Sequence, residues 1–431
     1  RTLSRKRKWF ILSIVALHGF LGPLTSSIYV PAISQVRNSF NTSSTAINAT
    51  ISLYIFTMGF APLFWASLSE RQGRRRVYLM ATVLYIITTI GCALSKTIEL
   101  FIILRAFQAV GASASQAVGA GTITDLFNVQ ERGNAMGIFL LGPLIGPVIG
   151  PIAGGFINEY LDWRYIFWSL SIMGGLTFFL VLFFVPETSS IVLMKKERRY
   201  IFARLLDSNR EESIWKSMLR PFRFILLPAV FLSTTPYSIA YGFMYFVIAS
   251  LPYQLSSRYH YSSYQIGLAY IANGLGNAIG AFVSGKLADQ ALNKLNVDNE
   301  EKRKYLEVRL NPMWIGIVLL PIGELLYGWC VNYNIHVSAG FFGLFLFQTP
   351  CNTYIVDLYQ KHSASAMSAG NLLRCISAGC TPLVAPIIIA EIGNGWSLTI
   401  LAIISSMSSI CIFLVQRYGQ LWKEQFDSHL E

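Results

Sequence analysis

Apolar runs of about 20 residues recur along almost the whole chain, and a helix of that length spans the hydrocarbon core of a bilayer. The sequence therefore predicts an all-α polytopic membrane protein. Composition agrees, because 53% of the residues are hydrophobic and 13% are charged, whereas soluble domains carry about 25% charged residues. We place twelve transmembrane helices at 9–34, 46–68, 75–95, 98–124, 132–158, 163–185, 221–250, 263–287, 312–331, 336–357, 363–390 and 396–416.

One long polar stretch between the predicted spans divides the chain into two halves of six helices each. We expect an N-terminal six-helix bundle over 1–185, a cytoplasmic linker over 186–220 and a C-terminal six-helix bundle over 221–431. A weak internal repeat supports this division, since Ala66-Ser-Leu-Ser-Glu70 is similar to Gly285-Lys-Leu-Ala-Asp289. Chance similarity between two apolar segments is the alternative. Two pseudo-symmetric bundles commonly bind substrate near the midplane and open alternately to each side.

Basic residues indicate the orientation of the chain. The net charge is +12, and most of the 34 Lys and Arg residues fall in the linker and in loops on one side of the predicted spans. The positive-inside rule places both termini in the cytoplasm, with the basic surface facing anionic lipid. We expect a multi-pass protein of the plasma membrane, with the vacuolar membrane as the alternative, and no nucleic-acid partner. The six cysteines form no CxxC pair, so we expect packing roles, no metal site and no cofactor.

A short loop with one glycine and four arginines, Leu68-Ser-Glu-Arg-Gln-Gly-Arg-Arg-Arg76, joins the second and third spans. Glycine permits a tight reversal, and a carboxylate at a helix end can pair with an arginine across the turn. The loop resembles motif A of the major facilitator superfamily, with Ala66 and Glu70 in place of the usual glycine and aspartate. Asp125 and Asp357 lie at helix ends, where we expect pairing with arginines of this loop. The candidate gate residues are Glu70, Arg71, Gly73, Arg74, Asp125 and Asp357.

Four ionisable residues lie within predicted spans, namely His18, Arg105, Glu324 and Arg374. Arg105 begins a segment through Ser113 that resembles motif B, whose arginine is associated in the superfamily with proton coupling. An arginine inside a membrane needs an anion, water or carbonyl partners, and an arginine snorkelling to the outer surface is the alternative. Glu324 is either a proton or organic-cation site or a structural partner between helices. His18 is either a proton carrier or a packing residue, so the proton-coupling candidates are Arg105, Glu324 and His18.

Glycines at four-residue spacing form a stripe along the fifth predicted span, at positions 142, 146, 150 and 154. A face without side chains lets a second helix approach closely. The stripe resembles motif C, which separates proton-coupled antiporters from uptake carriers within the superfamily, although generic small-residue packing is the alternative. Gly276 and Gly280 form a second small face, and we expect the two faces to touch between the halves. The antiporter-motif residues are Gly142, Gly146, Pro147, Gly150 and Pro151.

Amides and aromatic rings within the predicted spans are candidates for substrate binding. An apolar, aromatic cavity with a few polar groups tolerates many substrate shapes. Contact with lipid or plain helix packing is the alternative for each aromatic residue. The candidates are Gln108, Gln116, Tyr237, Tyr241, Tyr245, Asn273, Gln348, Asn352 and Asn371.

The resemblance covers the whole chain and is closest to fungal twelve-span drug:proton antiporters of the quinidine-resistance and dityrosine-transporter branch. Supporting segments are Leu21–Pro31, Asp162-Trp-Arg164 and Pro186-Glu-Thr188. The resemblance implies a monomeric antiporter that exports amphipathic, often cationic, small molecules such as drugs or polyamines in exchange for protons, by alternating access. A nutrient uptake carrier and a transport-inactive sensor on the same fold are the alternatives. An enzyme is not expected, because no nucleophile with a base and no metal-ligand cluster is evident.

Overall fold

The computed structural model describes residues 4–127, 129–188, 222, 225–293, 310–333, 335 and 363–428, and all regular structure within these ranges is helical. The first part of the chain forms α1 (Arg5–Ser27), a 3₁₀ turn (Val30–Ala32), α2 (Ile33–Ser39), α3 (Ser44–Gln72), α4 (Arg74–Leu94), α5 (Ile98–Leu126), α6 (Val129–Tyr160) and α7 (Trp163–Phe184). The second part forms α8 (Pro228–Tyr259), α9 (Ser263–Asn293), α10 (Met313–Asn332), α11 (Ser363–Met407) and α12 (Ser409–Ser428).

The all-α polytopic fold predicted from the apolar runs is confirmed. Among the described residues, eight stretches are long and apolar enough to cross a membrane, and the last of them, Ser368–Trp422, covers two predicted spans. The helices α8 and α9, of 32 and 31 residues, coincide with two further predicted spans. The predicted span at 336–357 lies outside the described residues.

The predicted boundary between the last two spans is present. Within α11, two helical stretches meet at a sharp bend at Gly393, whose φ is +77°, between the predicted spans 363–390 and 396–416. A residue with a side chain rarely adopts this backbone conformation, so glycine allows a sharp bend without a loop. The chain then breaks only briefly before α12 begins at Ser409.

Two compact units divide the chain, each with its own packing. The first comprises Arg1–Thr42 and Leu53–Arg220, and the second comprises Ser43–Ser52 and Pro221–Glu431. In the first unit, α1 packs along α6, and α4 packs against α5 and α7. In the second unit, α8 and α10 both pack against α11.

The glycine stripe of α6 lies against α1 within the first unit. A Cβ atom on Gly142 would lie 2.8 Å from the carbonyl oxygen of Ala16, and one on Gly146 would lie 2.8 Å from the amide nitrogen of Leu24. Added side chains at Gly150 and Gly154 would likewise meet α1. The close helix approach predicted from the stripe is therefore present. The expected contact of this span with the small face of 263–287 stays a prediction.

Large apolar side chains cover the outside of the helices. Ile172 and Phe183 on α7 are 74% and 72% exposed. Contiguous exposed apolar surface is rare on soluble monomers, so this surface matches contact with lipid chains. Polar and charged groups are instead found inside each unit, where they define the candidate site.

Candidate substrate, proton and gate sites

The loop between α3 and α4 is a turn of one residue. Gly73 has a φ of +96°, and α4 begins directly after it at Arg74. The Nε atom of Arg74 lies 3.3 Å from Oδ2 of Asp125, and its Nη1 atom donates to the hydroxyl of Ser69 at 2.5 Å. The structure thus joins the motif A loop to the end of α5 through the ion pair expected from the sequence. Glu70 and Arg71 are exposed at the end of α3, and Asp357 lies outside the described residues.

A carboxylate that the sequence analysis did not include among the gate candidates caps α4. Oε1 of Glu187 accepts the backbone N–H of Arg74 at 2.8 Å, and Oε2 accepts that of Arg75 at 3.3 Å. The N-terminus of a helix carries unpaired N–H groups and a partial positive charge, so a carboxylate stabilises it. A Cβ atom on Gly73 would overlap this carboxylate. The segment Pro186-Glu-Thr188 was the signal in the sequence, but nothing in it indicated the partner.

Arg105 is completely buried in the first unit, and its hydrogen-bond partners among the described residues are neutral. Its Nη1 atom donates to the amide oxygen of Gln108 at 2.8 Å and to the carbonyl oxygen of Thr25 at 3.2 Å. The guanidinium carbon lies 4.4 Å and 4.3 Å from the ring centroids of Tyr29 and Tyr54, which favours a cation–π interaction. The Nε and Nη2 atoms have no hydrogen-bond partner. The snorkelling alternative is wrong, because Arg105 turns inward.

Gln108 connects Arg105 to α4. Its amide nitrogen donates to the hydroxyl of Thr89 at 2.8 Å, while its amide oxygen accepts from Arg105. The hydroxyls of Thr25 and Tyr85 form a further hydrogen bond of 2.7 Å. Gln108 is fully buried, so in this conformation it positions the arginine and presents no surface to a substrate.

The ring of His18 has one nitrogen free to take up a proton. Thr82 donates its only hydroxyl proton to the carbonyl oxygen of Tyr78 at 2.6 Å. The same hydroxyl lies 2.9 Å from Nε2 of His18 and must therefore accept from it. This assigns the proton to Nε2, and Nδ1 is a buried acceptor without a hydrogen-bond partner.

Glu324 is buried between α10 and α11 of the second unit. Its Oε1 atom accepts the hydroxyl of Ser405 at 2.9 Å, and its Oε2 atom has no hydrogen-bond partner. It is the one carboxyl group among the fully buried side chains of the described residues. The side chain is 0% exposed, so proton exchange requires a change of conformation or a path that opens to it.

Arg374 of α11 contacts two of the predicted tyrosines and one predicted amide. Its Nη1 atom donates to the hydroxyl of Tyr237 at 2.9 Å, and its Nη2 atom donates to the amide oxygen of Asn371 at 2.6 Å. The guanidinium carbon lies 4.4 Å from the ring centroid of Tyr241, whose ring in turn contacts Tyr245 edge-on at 5.2 Å. The sequence indicated that Arg374 is buried within a span but did not indicate a role for it.

Two further predicted amides, Asn273 and Gln116, lie on α9 and α5. The amide oxygen of Asn273 accepts from Asn277 at 3.1 Å within α9, and both residues are buried. Gln116 is partly exposed on α5. The predicted residues Gln348 and Asn352 lie outside the described residues. A search of the described residues finds no group of three His, Cys, Asp or Glu side chains able to hold a metal ion.

Known proteins resemble this chain over nearly its full length. The model of the Major Facilitator Superfamily matches residues 15–380 and, in a second match, 239–428. The MFS transporter cpaT of Aspergillus oryzae is 34% identical over 421 residues, covering 93% of this chain and 85% of that protein. Citrate exporter 1 of Aspergillus niger is 30% identical over 470 residues, covering 99% and 89%. A D-xylose–proton symporter structure aligns with a TM-score of 0.68 at 16% identity, covering 94% and 97%, which shows a shared fold.

Proposed function

Because the chain belongs to the major facilitator superfamily, whose all-helical transporter fold it shares, we propose that it exports amphipathic small molecules in exchange for protons. Members of this family are membrane transporters, not enzymes. The proposal includes alternating access by a monomer, in the plasma membrane, with both termini in the cytoplasm. The similarity to a relative named Citrate exporter 1 supports the direction of transport.

One observation carries the proton-coupling part of the proposal. His18, Arg105 and Glu324 are fully buried in membrane-spanning helices, and each has at least one polar atom without a hydrogen-bond partner. Unsatisfied buried polar groups are costly and rare, and ionisable residues inside a membrane are functional candidates by default. The unused atoms of His18 and Glu324 are acceptors that can take up a proton, whereas those of Arg105 are N–H donors that remain protonated and can act on a neighbouring group. The glycine stripe, packed on α1, supports antiport through its resemblance to motif C.

The sign of a pH-driven flux tests this proposal. The full chain is reconstituted in liposomes with an acidic lumen, and uptake of N-methylquinidinium, spermidine and naphthylacetate is measured with and without a protonophore. Antiport drives a substrate into the acidic lumen whichever way the protein is inserted, whereas symport drives it towards the alkaline side. Protein-free liposomes are the control for passive distribution.

Three results would contradict the proposal in different ways. Accumulation only when the outside is acidic indicates an uptake carrier. Accumulation that survives the protonophore removes the coupling to protons. No protein-dependent flux for any probe, from protein that remains folded, favours a transport-inactive sensor. Comparison of the three probes shows which substrate charge the transporter accepts.

A further inference from the structure

Arg374 lies deep in a membrane-spanning segment and is nevertheless partly exposed. It lies within Ser368–Trp422, a stretch apolar enough to cross the membrane, eleven residues after the start of α11. An arginine that faces hydrocarbon at this depth is costly, and such residues face the bundle interior or a water-filled cavity. We therefore expect the exposed part of Arg374 to face the bundle interior or water rather than lipid. Arg105, by contrast, is 0% exposed.

The partners of Arg374 leave its charge uncompensated. Asn371 and Tyr237 are neutral hydrogen-bond acceptors, and Tyr241 supplies a ring face. The ion pairs found among the described residues do not include Arg374. Its Nε–H group is buried and has no hydrogen-bond partner among the described residues. A guanidinium held by neutral groups and with a free donor is prepared to bind an anion.

Tyr237 adds a second donor at the same place. Its hydroxyl oxygen accepts from Arg374, which leaves the phenolic proton for another acceptor. Within the described part of the chain this proton meets no hydrogen-bond acceptor. A carboxylate beside Arg374 therefore has at least two types of donor available, from a guanidinium and from a phenol. The rings of Tyr237 and Tyr241 contact each other along α8 and are partly exposed, which suits them to an aromatic or other apolar body, whereas Tyr245 is buried behind Tyr241.

We propose that Arg374, with Tyr237, Asn371 and Tyr241, binds the carboxylate of an amphipathic organic anion, whose apolar part lies along the tyrosines of α8. The flat guanidinium matches a carboxylate with two parallel hydrogen bonds. This inference rests on the proposed transport function and specifies its substrate class. The charged side chain at this site, Arg374, is positive and suits an anion. The carboxyl group of Glu324, which would suit a cation, is instead buried against Ser405.

Equilibrium binding to the full chain in lipid nanodiscs tests the site at equal pH on both sides. Three probes share one ring system and differ in charge, namely naphthylacetate, naphthylacetamide and naphthylethylammonium. We expect naphthylacetate to bind at least about tenfold more tightly than the amide, because hydrogen bonds to charged groups are worth roughly tenfold or more. The variant Arg374→Gln should abolish this preference and change amide binding by less than about twofold.

Two further variants separate recognition from folding. Tyr237→Phe removes one donor and should weaken naphthylacetate binding severalfold with little effect on the amide. Arg417→Gln is the control, because it removes an exposed guanidinium that also lies near a tyrosine ring, 5.9 Å from that of Tyr418. This variant should change the binding of neither naphthylacetate nor the amide. If Arg374→Gln fails to fold, Arg374→Lys replaces it, because it keeps the charge and should retain a weaker preference for the acid.

The inference is overturned if wild-type protein binds the acid no better than the amide, or if Arg374→Gln keeps the preference. These results do not depend on the outcome of the flux experiment. Proton-driven export of naphthylethylammonium together with no acid preference rejects the Arg374 site and leaves the proposed function standing. An Arg374-dependent acid preference without any proton-driven flux supports the site and rejects the transport cycle.

Discussion

Substitution of a stripe glycine by alanine should show how tightly α6 is held against α1. In Gly146→Ala, the new Cβ atom would lie 2.8 Å from the amide nitrogen of Leu24 and 3.0 Å from Cβ of Pro23. Real Cβ atoms do not approach a backbone this closely, so α1 must move. Overpacking of this kind costs about 1–3 kcal/mol. The same helix offers a matched control in Gly137, where an added Cβ atom would meet nothing within 4 Å.

The control variant should behave in the opposite way. Gly137→Ala gains helix propensity, at most about 1 kcal/mol, and creates no contact. The apparent Tm of both variants is measured by intrinsic fluorescence in identical nanodiscs, together with export. Gly146→Ala should melt several degrees below Gly137→Ala and transport more slowly, and Gly146→Leu should abolish export while the protein still reaches the membrane. Equal Tm values and equal export for the two alanine variants would refute the close packing argued here.

Three further substitutions test the polar groups. Glu187→Gln should weaken the cap of α4 by about 0.5–2 kcal/mol, which hydrogen exchange detects as faster exchange at the amides of Arg74 and Arg75. The control Glu70→Gln, on the exposed end of α3, should leave exchange at these amides unchanged. Equal exchange rates in the two variants would show that Glu187 does not cap α4. Arg105→Lys keeps the positive charge but loses the stacking of the flat guanidinium on the rings of Tyr29 and Tyr54, so proton-driven accumulation should fall at least about tenfold. Full activity of this variant would show that Arg105 has only a structural role. Glu324→Gln should alter the pH profile of export, whereas Ser405→Ala, which keeps the carboxyl group of Glu324, should alter it less. A pH profile of Glu324→Gln identical to that of the wild type would exclude a role of Glu324 in proton coupling.

The sequence predicted the positions of the helices better than the partners of their faces. Apolar runs of bilayer length are read directly from hydropathy, and the break at Gly73 follows from a glycine between two helical patterns. The Arg74–Asp125 pair was expected because the motif places opposite charges at neighbouring helix ends. The sequence did not indicate that the stripe of α6 packs on α1, because a face without side chains fits any smooth helix. On its side of this contact α1 carries Pro23 and Ser27 rather than a matching row of glycines.

The contacts of Arg374 were not predictable from the sequence for a different reason. Tyr237 lies 137 residues before Arg374, and no charge pattern links the two because the tyrosine is neutral. An acidic residue in a neighbouring span would have indicated an ion pair with Arg374, whereas a neutral tyrosine or asparagine gives no such indication in the sequence. The same holds for Arg105, which Gln108 and two tyrosine rings surround.

Neutral partners give both arginines a property that an ion pair would remove. A guanidinium paired with a resident carboxylate has little further attraction for an anion, since the pair is close to neutral as a whole. Arg105 and Arg374 retain a net positive charge in a medium where charge is weakly screened. Arg105 is closed off by Tyr29 and Tyr54, so its charge acts on groups inside its own unit. Arg374 is partly exposed, so its charge acts on whatever enters the space beside α8 and α11. The difference in exposure, rather than in residue type, is what separates a buried arginine from one that can meet a substrate.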